Sequence, residues 1–113
     1  MAMHVLVINP DGGTLAMMNV PSPPPLEFLQ TAVKGPIQQT PMFDHFALAD
    51  GKLSPCVVFC NEEGKLNGME VNMIATMAWG ETLLRDHSLE PFDVLVGPVV
   101  LILADTHAEL EGL

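Results

Sequence analysis

The chain has 113 residues, 49% of them apolar, with fourteen acidic side chains against four basic ones and a formal charge of -10 at pH 7. That length suits one domain with one core, and the apolar content excludes a disordered chain. The four bases, Lys34, Lys52, Lys65 and Arg85, are scattered, which argues against direct binding of nucleic acid or of an anionic membrane, since both demand clustered cations.

In chain order, MHVLVI (3–8) is a near-continuous apolar run rich in β-branched residues, the pattern of a strand buried on both faces. NPDGG (9–13) carries Asn-Pro and Asp-Gly turn signals, and TLAMMNV (14–20) reads as a second strand, so together they predict a β-hairpin. PSPPP (21–25) is a stiff connector whose last prolines suit a first helical turn. In LEFLQTAVKG, Leu26, Leu29 and Val33 fall at helical spacing and Gly35-Pro36 supplies a stop, which predicts a short amphipathic helix. IQQTPMFDHFALA (37–49) alternates imperfectly and is broken by Pro41, predicting an irregular or edge strand. DGKLSP (50–55) turns the chain into CVVFCN (56–61), a second buried strand, and the polar turn segment EEGKLNG (62–68) follows. VNMIATMAWG (71–80) predicts a helix capped by Asn72, with Gly80 either ending it or interrupting a longer helix through ETLLRDH. DVLVGPVVLILA (93–104) predicts the most apolar strand, bulged or kinked at Gly97-Pro98.

The order β-β-α-β-β-α-β predicts a single α+β domain over residues 1–104, with a mixed or mostly antiparallel sheet and two helices packed on one face. Residues 105–113, DTHAELEGL, read as an acidic C-terminal tail. No secretory signal is expected from MAMHVLVINPDGG, and the apolar stretch Val94 to Ala104 is too short to span a bilayer. Cys56 and Cys60 sit four apart in one strand, about 13 Å from each other and too far for a disulfide. Buried free thiols in a reducing cytoplasm are the expectation.

Two stretches, NEEGKLNGMEVNMIATMAWG (61–80) and DVLVGPVVLI (93–102), together with the opening MHVLVINPDGG, resemble the phage- and actinobacterial-associated family described as domain of unknown function 3846. The resemblance rests on an acidic turn with Gly-Lys-Leu (Glu62, Glu63, Gly64, Lys65, Leu66), a helix start with Asn72 and Ala75, and Asp-(apolar)3-Gly-Pro-Val at Asp93, Gly97, Pro98 and Val99. It covers about half the chain. A basic residue often follows the asparagine in that pattern, and Met73 stands there instead, which weakens any polar site at this place. The resemblance implies a small accessory protein of phages or other mobile elements with no assigned activity.

Residues for chemistry are sparse. His4, His45, His87 and His107 are isolated in sequence, and no phosphate loop, dinucleotide fingerprint or nucleophile elbow is present. No catalytic residue, no cofactor and no metal site is therefore expected; a Cys-x3-Cys pair inside an apolar strand is a poor zinc ligand set. The candidate partner-binding residues are Glu62, Glu63, Asn72, Trp79, Glu81 and Asp86, with helix capping as the competing reading of Asn72 and core packing that of Trp79. The methionines, especially Met17, Met18, Met69, Met73 and Met77, are either core filler or an adaptable contact surface. The leading expectation is a non-enzymatic protein that binds a host protein with a basic surface, and that covers part of its own apolar surface as a homodimer. A module sequestering a small molecule or nucleotide signal is the alternative, and an enzyme is the third.

Overall fold

The computed structural model describes residues 3–20 and 24–113. The expected connector therefore falls largely outside the described residues, as do the side chains of Met17 and Met18. Strands β1 (Met3–Ile8) and β2 (Thr14–Val20) form the expected antiparallel hairpin. Its loop closes with Asn9 N–H donating to the Gly13 carbonyl at 2.8 Å. Helix α1 (Leu26–Val33) starts from an extended Pro25 and ends at Lys34 in the left-handed conformation, φ 64°. Two short strands follow, β3 (Ile37–Gln39) and β4 (His45–Ala47), then the long β5 (Leu53–Asn61), helix α2 (Met73–His87) and β6 (Val99–Leu103).

All pairings between these strands are antiparallel, and the sheet order is β2-β1-β6-β5-β3, with β4 also paired to β5. The α+β class and antiparallel sheet are as expected, with one more strand. β3 and β4 are the two halves of the irregular edge segment, both laid along β5. Pro41 and a left-handed Met42 (φ 59°) break the ladder between them.

One expectation is corrected by the side-chain alternation of the central strands. Val99 and Leu101 of β6 pack with Val58, Ala75, Trp79 and Leu83, whereas Val100 and Ile102 pack with Val5, Val7, Leu29 and Val33. Successive strand side chains point to opposite faces, so α2 and α1 cover opposite faces of the sheet rather than one. β6 is apolar at every position, and each face requires its own helix. Four consecutive residues, Val99 to Ile102, are fully buried, each contributing about 1.5–3 kcal/mol by its removal from water.

Two further boundaries move. The strand expected over 93–104 starts only at Val99, because Gly97 turns the backbone at φ 70° and residues 95–97 bond instead to the segment before α2. The acidic tail is not free: His107–Leu110 form a short 3-10 helix whose Leu110 is buried among Val5, Val7 and Leu29. Helix α2 continues through Gly80, which lies against Pro91, to a left-handed Ser88. Among the described residues, no helix is long and apolar enough to cross a membrane.

Candidate functional site

Asn72 is fully buried and holds three backbone groups at once. Its Oδ1 accepts from the Ala75 N–H at 3.2 Å, capping α2, while Nδ2 donates to the carbonyls of Ile8 at 2.8 Å and Gly97 at 2.9 Å. The amide thus ties the start of α2 to β1 and to the turn before β6. Next to this knot, Lys65 pairs with Asp93, and Gly64 packs tightly on Val96. The Lys65 ammonium, aided by the Val94 N–H, holds the Asp93 carboxyl below the usual carboxylate range.

Trp79 is also interior, at 3% exposure. Its indole N–H donates to the Pro41 carbonyl at 2.9 Å and its ring meets Phe92 edge to face, 5.3 Å between centres. It forms part of the wall of an open groove of about 160 Å³, flanked by Gln38, Thr40, Cys60, Lys65 and Asp93. Burial raises the Cys60 thiol, and burial reinforced by Asp44 pushes Cys56 up to about 12. Both cysteines are free, and neither thiol is primed as a nucleophile.

The outer face of α2 differs from a solvated helix face. Met73, Ile74, Met77 and Leu84 are 57, 46, 61 and 54% exposed, and Met73, Met77 and Leu84 align along one side with the exposed Glu81 between them. A shallow groove between this face and β4 is walled by Phe46, Ile74, Met77, Glu81 and Arg85.

Beside it lies a cluster that sequence spacing did not disclose. His45 Nδ1 is 2.9 Å from Asp86 Oδ2, Arg85 Nε donates to Asp86 Oδ1 at 3.0 Å, and His45 Nε2 is 3.1 Å from His107 Nε2. His87 Nε2 pairs with Asp44. The guanidinium of Arg85, with help from His45, keeps the Asp86 carboxyl below its ordinary range. An imidazole-carboxylate pair is the core of a general base, but here His107, not a hydroxyl or thiol, faces His45 Nε2. The neighbouring Thr82 hydroxyl is committed to the carbonyls of His45 and Ala78.

Of the candidate partner-binding residues, Glu62, Glu63, Glu81 and Asp86 are exposed, whereas Asn72 and Trp79 are buried and belong to the scaffold. Glu62 lies at the Trp79 groove, and Glu81 at the α2–β4 groove. Sequence reasoning missed the His45–His107 pair because its members are 62 residues apart and meet only through the docked C-terminal turn.

A family model described as Domain of unknown function (DUF3846) matches residues 3–113, and the chain belongs to that family. No curated protein and no solved structure gives a match.

Proposed function

We propose that this member of the family is a non-enzymatic accessory protein of a phage or other mobile element, which binds a host protein through the outer face of α2. The observation carrying this reading is the exposed row Met73, Met77 and Leu84, flanked by Ile74, on a helix whose opposite side already fills the core. Unbranched, polarizable methionines make an adaptable contact surface, and burying such a row is favourable by roughly 25 cal/mol per Å² of apolar area. Glu81 within the row, and the net charge of -10, favour a partner with a basic rim. The competing use of the same surface is a homodimer.

Affinity capture from host lysate at moderate salt, run with wild type and with Met77→Glu, tests the reading. The expected result is a host protein retained by wild type and lost from the variant. Recovery of none by either, or equal recovery by both, overturns it. A second reading, capture of a small polar molecule, is favoured by the Trp79 groove with its Lys65–Asp93 pair. A thermal-shift screen of nucleotides and amino acids addresses it, and flat melting temperatures sink it.

A further inference from the structure

We propose that His45 and His107 form a bidentate site for a divalent transition-metal ion of the imidazole-preferring class, zinc or nickel, with Asp86 and Arg85 as positioning residues. The inference starts from the orientation of His45. Asp86 accepts from Arg85 Nε at Oδ1 and, at 3.4 Å, from Arg85 Nη2 at Oδ2, and the same Oδ2 faces His45 Nδ1 at 2.9 Å. A carboxylate accepts only, so Nδ1 carries its hydrogen toward Asp86, and Nε2 is the nitrogen left to act as ligand or acceptor. Carboxylate-imidazole pairs of this kind orient metal-binding histidines and raise their basicity.

His45 Nε2 points at a second imidazole nitrogen, His107 Nε2, 3.1 Å away. Two nitrogens about 2.05 Å from one tetrahedral ion lie about 3.3 Å apart, close to this spacing. The ring centres discriminate further. Each ring nitrogen is about 1.15 Å from its centre, so a straight N–H···N bond of this length would hold the centres about 5.4 Å apart. At the observed nitrogen spacing, rings aimed at one ion about 2.05 Å from each nitrogen put the centres about 4.8 Å apart with an N–metal–N angle of about 98°, whereas an ideal tetrahedral angle puts them about 5.2 Å apart. The observed separation is 4.8 Å, with ring planes at 90°. The rings are therefore bent off a collinear N···N line, a geometry that chelation accepts and that a bent N–H···N bond also satisfies.

The supports on each side are firm. Thr82 Oγ1 donates to the His45 carbonyl at 2.9 Å and locks β4 onto α2. His107 opens the 3-10 helix anchored by the buried Leu110. No group of three or more His, Cys, Asp and Glu side chains converges as ligands among the described residues. The protein accordingly supplies two ligands, and water or a second chain completes the shell. A bound ion would also staple the C-terminal turn to β4.

Isothermal titration of the untagged full chain with zinc chloride and with nickel chloride tests the proposal, alongside imidazole 15N shifts. The expected result is saturable binding of one ion per chain where water completes the shell, or one per two chains where a second copy does, with shifts confined to His45 and His107. His45→Gln and His107→Gln should each abolish it, and Asp86→Asn should weaken it by about 10–100-fold, as loss of an orienting carboxylate does. His87→Gln should leave it unchanged. His107 is exposed, so His107→Gln keeps the metal-free melting temperature and separates ligand loss from unfolding. Absence of saturable binding by wild type overturns the proposal and leaves a shared proton as the occupant of this geometry. Binding that survives His107→Gln overturns it equally. Neither outcome bears on the partner-binding reading, which rests on Met77 and is tested separately.

Discussion

Replacing Asn72 by alanine perturbs the most connected buried side chain of the fold. The substitution removes the cap on the Ala75 N–H and both donors to the Ile8 and Gly97 carbonyls in a site with no exposure. Loss of an N-cap costs about 1 kcal/mol, and each buried carbonyl left without its donor costs about 1 kcal/mol or more. The expected total is about 3–5 kcal/mol, a large share of the roughly 5–15 kcal/mol that holds a domain folded. With a urea slope of about 1–3 kcal/mol per molar, the unfolding midpoint should fall by roughly 2 M at unchanged slope. A loss below about 1 kcal/mol would refute the reasoning, because it would mean that water re-satisfies the carbonyls. Asn72→Asp sharpens the test. It keeps the capping oxygen but sets a second oxygen against the two carbonyls, so at pH 7 it should be at least as damaging as alanine. Burial raises the folded pKa of such an acid above its unfolded value near 3.9. The bond made by its protonated form is therefore present below that value and is lost as pH rises, and the gap to Asn72→Ala should narrow or reverse in acid.

Four further outcomes are expected. Gly97→Ala places a Cβ at φ 70° and 2.6 Å from Met69 Sδ, costing about 1–3 kcal/mol by chemical denaturation; adding Met69→Ala should relieve the collision and leave the backbone strain. A thiol-trapping reagent at pH 8 should modify Cys60 before Cys56, since Cys56 is buried and its thiol is pushed up to about 12; equal rates under native conditions would contradict the burial of β5. Met77→Glu, on an exposed site, should change stability by under about 0.5 kcal/mol while lowering any dimer fraction seen in sedimentation. The lowered carboxyls of Asp86 and Asp93 contribute stability that is present above their unfolded value and is lost as pH falls through the folded one. Asp93→Asn and Asp86→Asn forfeit that contribution, so stability at pH 7 should fall toward its acid value, and acid unfolding monitored by circular dichroism should set in at the same or a higher pH than in wild type.

Local features of the fold were legible wherever chemistry within a few residues decides them. Asn-Pro and Asp-Gly placed the first hairpin turn, Gly35-Pro36 the end of α1, and Asn72 the start of α2. The layer arrangement was legible too, had the apolar runs of β1 and β6 been followed through: a strand without a polar face needs cover on both sides. Gly97-Pro98 marked a break, but it ends a loop rather than kinking a strand, because hydrogen bonds to Glu70 and Asn72 capture the chain before it. Asn72 and Trp79 are polar or amphipathic groups whose partners are distant carbonyls, so their burial depends on contacts 38 and 64 residues away. His45 and His107 were invisible for the same reason.

The residues that carry the family likeness also converge in space. Asn72 donates to Gly97, Lys65 pairs with Asp93, Gly64 packs on Val96, and Ala75 takes its cap from Asn72. Together they fix the first turn of α2 against the hairpin and the sheet, and most of what they do is buried or pairwise satisfied. A constellation of that kind holds a helix in place and has little left to offer a ligand. What it holds outward is the row of Met73, Met77 and Leu84, beginning one residue after the capping asparagine. Met73 is exposed directly after the buried capping asparagine, so the scaffold residues and the exposed face obey different constraints. The buried constellation then sets how α2 is mounted, and the outer side chains of α2 are the ones left free for contact. Met73→Lys separates the two: it should leave the denaturation midpoint unchanged and weaken binding to a basic partner. Unchanged binding would place the contact elsewhere than α2.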